Sequence, residues 1–88
     1  MIQYDDIRVK LNNRRPELAD LKDALQLDRA EKEIQELEHK AAEPGFWDNM
    51  EKSQEILRRT TQLRSKVEHY HKLESLADDI ETMIQLAE

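Results

Sequence analysis

The sequence predicts an all-α fold, a three-helix up-down-up bundle or a helical hairpin extended by a long C-terminal helix. Three observations carry that expectation. Glycine occurs once and proline twice in 88 residues, so few positions interrupt a helix. Ala, Leu, Glu, Lys, Arg and Gln, the strong helix formers, fill most windows of the chain. Apolar residues recur at intervals of three and four through three successive segments. The length fits one small domain, residues 1–88, with a single core.

In the first segment Ile7, Leu11, Leu18, Leu21 and Leu25, with Arg14 at the same spacing, share one helix face, and Asp5 is the expected N-cap. Pro16 lies inside this pattern and cannot donate to the carbonyl of Asn12. Because the apolar phase persists across it, one kinked helix is predicted, with a two-piece helix restarting at Pro16 as the alternative. A second helix is expected from Asp28, which with Glu31 has the spacing of a capping box. Its stripe is Ala30, Ile34, Leu37 and Ala41, and Pro44 with Gly45 ends it.

The run EPGFWDN reads as a turn that holds Phe46 and Trp47, with Asp48 as the N-cap of the next helix and Glu51 three residues on. Trp47 is expected to plug the core, since a tryptophan in a turn is costly unless its ring is covered. From Asn49 onward neither Gly nor Pro occurs, and one helix is predicted to the end. Its stripe runs Ile56, Thr60, Leu63, Val67 and Tyr70, then shifts phase to Leu73, Ala77, Ile80, Ile84 and Ala87. Two shorter helices could not cover it. Leu73, Leu76, Ile80, Met83, Ile84 and Leu86 are therefore expected to lack a local partner, to be covered by a later helix or by a second copy in a homodimer. No stop signal follows Gln85, so the natural chain is expected to continue.

Function classes can be excluded on composition. A net charge of −6 argues against broad contact with phosphate backbones, which needs a surplus of cations on one surface. The chain has no cysteine, hence no disulfide or thiolate metal site. The N-terminus lacks a signal-peptide core and no stretch approaches a membrane span, so a cytoplasmic location is expected. Gly45 is the only glycine, which removes phosphate-cradling loops and nucleophile elbows.

His69 and His71 diverge on a helix, His39 has no second ligand in register, and paired carboxylates such as Asp78 and Asp79 read as a solvated face. No catalytic residue, cofactor, metal or small-molecule substrate is expected. The remaining candidates are structural, Asp28, Phe46, Trp47 and Asp48, together with a partner-contact set, Arg58, Arg59, Arg64 and Lys66. Pairing of these cations with glutamates one turn away is the plainer reading of that set.

The run from Leu25 to Ile56, LQLDRAEKEIQELEHKAAEPGFWDNMEKSQEI, together with the later KLES, resembles the N-terminal helical domain of the bacterial peptide chain release factor 2 family. The order of a capped helix, a Pro-Gly-Phe-Trp-Asp turn and a long helix carries the resemblance, which extends from Ile7 to Ala87. It implies a translation termination factor whose full chain reads stop codons through an SPF motif and promotes peptidyl-tRNA hydrolysis through a GGQ motif. Neither motif occurs in this sequence, so no active residue of the family falls on it. The resemblance implies a fragment that docks toward the stalk base of the large ribosomal subunit and is not itself an enzyme. The competing expectation is a stand-alone coiled-coil adaptor that dimerises through its last helix.

Overall fold

The computed structural model describes residues 4–88. They form three α-helices, α1 (Tyr4–Leu25), α2 (Leu27–Ala41) and α3 (Met50–Ala87), with a 3-10 turn at Phe46–Asp48. No strand occurs among the described residues, as an all-α chain requires. The contacts divide into two compact units: α1 with residues 69–88, and residues 26–68, where α2 meets the first half of α3.

In the first unit α1 runs as one helix through Pro16, so the restart at Pro16 does not occur. The missing bond to Asn12 costs about 3 kcal/mol in a helix interior, and the packing of Leu11 and Leu18 on either side offsets it. Asp5 lies in the first turn with Asp6 rather than at an N-cap; both carboxylates suit the positive end of the helix dipole there. Leu11, Ala77 and Ile84 form the buried cluster, flanked by Tyr4, Leu18 and Ile80.

The seam of this unit alternates apolar and charged layers. Arg8 donates to Glu88 at 2.6 Å, and Arg15 donates to Asp78 at 2.9 Å and to Glu81. A seven-residue step up α1 matches a seven-residue step down α3, so the two segments are antiparallel. On α3 the inward positions are Tyr70, Glu74, Ala77, Glu81 and Ile84, which continue the spacing of Thr60, Leu63 and Val67 without a change of phase. The shift to Leu73 expected from apolar residues alone does not occur. Glu74 takes its place because the Tyr70 hydroxyl donates to it at 2.9 Å, and Glu81 because Arg15 answers it. The C-terminal part of α3 does not lack a local partner, since α1 covers Ala77, Ile80 and Ile84. Leu73, Leu76, Met83 and Leu86 remain exposed.

In the second unit a single residue, Gln26, stands between α1 and α2. It adopts a left-handed conformation (φ 52°, ψ 51°) and makes no side-chain cap, while its carbonyl accepts from Ala30 at 3.0 Å. The helix has already begun at Leu27, so Asp28 sits in its first turn rather than at the expected N-cap position. Starting one residue early lets Leu27 point inward, where it is 1% exposed, beside Ala30 and Leu63 in the buried set.

Candidate docking surface

The turn between α2 and α3 is the most individual part of the sequence, and its geometry follows from Gly45. That residue has φ 80°, a left-handed value, and a Cβ there would lie 2.9 Å from Asp48 Oδ2. Glycine alone meets both conditions without strain. The Asp48 amide donates to the Gly45 carbonyl at 3.0 Å and closes the 3-10 turn.

Asp48 is thereby consumed by the turn, and the N-cap of α3 is Asn49 instead. Asn49 has extended backbone angles (φ −117°, ψ 97°), its Oδ1 accepts from the Lys52 amide at 3.1 Å, and its carbonyl accepts from the Ser53 amide at 3.0 Å. This is the geometry of a side-chain cap. The residue that ties the turn to α3 is Ser53, which belongs to neither the apolar nor the charged pattern of the sequence. It is 1% exposed, and its hydroxyl reaches the carbonyls of Phe46 and Asn49. A small hydroxyl residue in phase with Ile56 and Thr60 was the available signal.

Trp47 is not a core plug. It is 57% exposed, and its ring meets that of half-buried Phe46 edge to face at a centroid distance of 5.0 Å. Met50 and Leu57, one face of α3 beyond the turn, are also exposed. An uncovered tryptophan next to further apolar side chains is the composition of a protein-contact anchor.

The four basic candidates part company. Arg59 forms a forked pair with Glu33 of α2, through Nε at 3.1 Å and Nη2 at 3.0 Å, and Arg64 pairs with Glu38. Their partners lie across the seam, 26 residues away, rather than one turn along α3. The fork raises the pKa of Arg59 and, through the same hydrogen bond first, lowers that of Glu33. Lys66 joins Arg59, Arg29 and Lys32 around a groove above Ala30 and Leu63. Arg58 stands apart, beside Lys52, Glu51 and Glu55.

Among the described residues no group of three or more His, Cys, Asp or Glu could hold a metal ion. His71 lies 3.9 Å from Glu74 and edge-on to Tyr70. Among the described residues no helix is long and apolar enough to cross a membrane.

Fold and surface together define a class: a charged helical module with an aromatic turn and paired arginines, suited to contact with a partner. The chain belongs to the PCRF domain family, whose model matches residues 30–88. A protein of Petrotoga mobilis named peptide chain release factor 2 is 28% identical over 88 residues, all of this chain and 24% of that relative. Relatives of the same name in Staphylococcus saprophyticus and Staphylococcus haemolyticus are 33% and 32% identical over 92% and 90% of this chain. The chain thus spans between a fifth and a quarter of the length of the curated relatives it matches. No solved structure matches it. The resemblance carried by EPGFWDN is borne out at the level of the family.

Proposed function

We propose that the chain is the N-terminal domain of a peptide chain release factor 2 and acts as its ribosome-docking and positioning module. In the whole factor it would help place the codon-reading and GGQ-bearing parts, in the cytoplasm, by contact with the stalk base of the large subunit. The observation that carries this reading is the alignment of release factor 2 relatives along 90% to 100% of the chain. The reaction, hydrolysis of peptidyl-tRNA, belongs to the segments that carry GGQ, and this chain's residues contribute placement alone.

The exposed Trp47 on its Phe46 support, with Arg58 and Lys66 further along α3, supplies the contact set. Aromatic and cationic side chains at the centre of an interface carry a large share of binding energy. Co-sedimentation with ribosomes tests the reading. The chain should pellet with the large subunit, and Trp47→Ala should weaken pelleting without loss of helical circular dichroism. Absence of pelleting at low salt would sink the proposal.

Exposed Leu73, Leu76 and Met83 favour a second reading, an adaptor that self-associates through the last part of α3. Its basis is narrower than the sequence suggested, because α1 already occupies the seam with Ala77 and Ile84. A monomer mass by light scattering at high protein concentration removes it.

A further inference from the structure

We infer that one edge of the α2–α3 seam is a contact face for the phosphate backbone of RNA. Lys52, Arg59 and Lys66 stand seven residues apart on α3. They therefore share one side of that helix, with successive residues about 10.5 Å apart along its axis. Across the seam, Arg29 and Lys32 of α2 line with Arg59 and Lys66 a groove of about 510 Å³, and Lys40 lines with Lys52 and Glu43 a separate groove at the turn. Among the described residues only Arg59 of these six cations is in an ion pair, to Glu33. The first groove holds four cations against Glu33 and Glu36, a local reversal of sign in a chain of net charge −6.

The chemistry of the groove selects the partner. Its only apolar members, Ala30 and Leu63, are 2% and 3% exposed, so a protein would find no anchor there, and protein interfaces depend on such anchors. A phosphate backbone needs only spaced cations and releases counterions on binding. Lysine, a compact charge on a flexible stem, suits contacts that do not fix orientation. The inference names the chemistry of one partner surface for the docking module and rests on that reading.

Titration of a labelled RNA stem-loop with the chain tests it. Binding should weaken with salt at a log-log slope of about −3, as for three or four neutralised phosphates. Lys52→Glu combined with Lys66→Glu should weaken binding about tenfold or more while helical circular dichroism stays unchanged. Lys22→Glu combined with Lys72→Glu, in the other unit, should leave it within about twofold. Equal losses from both pairs, or no binding at low salt, would overturn the inference. So would displacement by polyglutamate as effective as by RNA, which makes an acidic polypeptide the occupant. Ribosome pelleting separates the two readings. If the Lys52 and Lys66 double variant pellets as well as the unaltered chain, the RNA face fails and docking stands. If the unaltered chain does not pellet yet binds the stem-loop through those lysines, docking fails and the RNA face stands.

Discussion

The two seams solve the same packing problem with different chemistry. In the unit built on α1, inward positions alternate between apolar layers and charge pairs: Arg8 with Glu88, Arg15 with Glu81. In the unit built on α2 they are filled by Leu27, Ala30 and Leu63 with two hydroxyl residues, Ser53 and Thr60. Both hydroxyls return to carbonyls of their own chain, Thr60 to Ile56 at 2.8 Å and Ser53 to Asn49 at 2.8 Å. Salt bridges between partly exposed side chains add little stability, but a misaligned α1 would set like charges or unpaired ones against the seam. Charge layers thus fix register, and small satisfied hydroxyls let helices approach. Charge pairs cross the second seam too, Arg59 with Glu33 and Arg64 with Glu38, so what sets it apart is the hydroxyl packing of its inward positions.

The sharpest way to break this contrast is at Leu27. Leu27→Ala should destabilise the α2 unit by about 2–5 kcal/mol, the range for a buried leucine, measured by urea unfolding. A loss no larger than that of Leu73→Ala, at a 47% exposed site, would show that the second seam is not held by its apolar residues. Next in size, Asn49→Ala should cost about 1 kcal/mol as a lost N-cap, while Asp48→Ala should cost clearly less. The reverse order would return the cap to Asp48.

The first seam should respond to alkali. Burial first, and the hydrogen bond to Glu74 second, raise the pKa of Tyr70 above the usual phenol range. Because the folded value lies above the unfolded one, the contribution is complete below about pH 10 and is lost as pH rises through the folded value. Tyr70→Phe should remove that alkaline loss, readable in thermal melts carried from neutral pH to above the usual phenol range. The smallest effect is expected at Trp47: Trp47→Ala should change stability by about 0.5 kcal/mol or less, as at ordinary surface sites. A larger cost would mean that its contact with Phe46 supports the turn.

Much of this was legible in the residues. Three helices, the turn at Pro44 and Gly45, and the absence of a break in α3 follow from composition and spacing. The cap register was not, because Asp48 and Asn49 are equally good caps and only the 3-10 turn decides between them. The fate of Trp47 was hidden for a related reason: an amphipathic ring in a turn satisfies the sequence pattern whether it faces in or out. The inward phase of α3 could have been read. Arg8, Arg15 and Lys22 recur every seven residues, and so do Glu74, Glu81 and Glu88; neither series is apolar, so the hydrophobic pattern does not carry it. The contact set was legible only as a basic stretch, since the partners Glu33 and Glu38 lie on another helix.

The separations across the two seams also order the events of folding. Arg59 and Arg64 meet carboxylates 26 residues away, whereas Arg8 and Arg15 meet theirs 63 to 80 residues away. Shorter loops close sooner and at lower entropic cost. On a growing chain α1 emerges before α2, and its partner residues on α3 emerge only after residues 26–68. A helix in a protein draws most of its stability from packing of its apolar face, so α1 waits with Leu11 and Leu18 uncovered until synthesis has passed Ile84. During that interval the α2–α3 hairpin is already able to close, and the nascent chain carries one finished seam and one sticky, unclaimed helix.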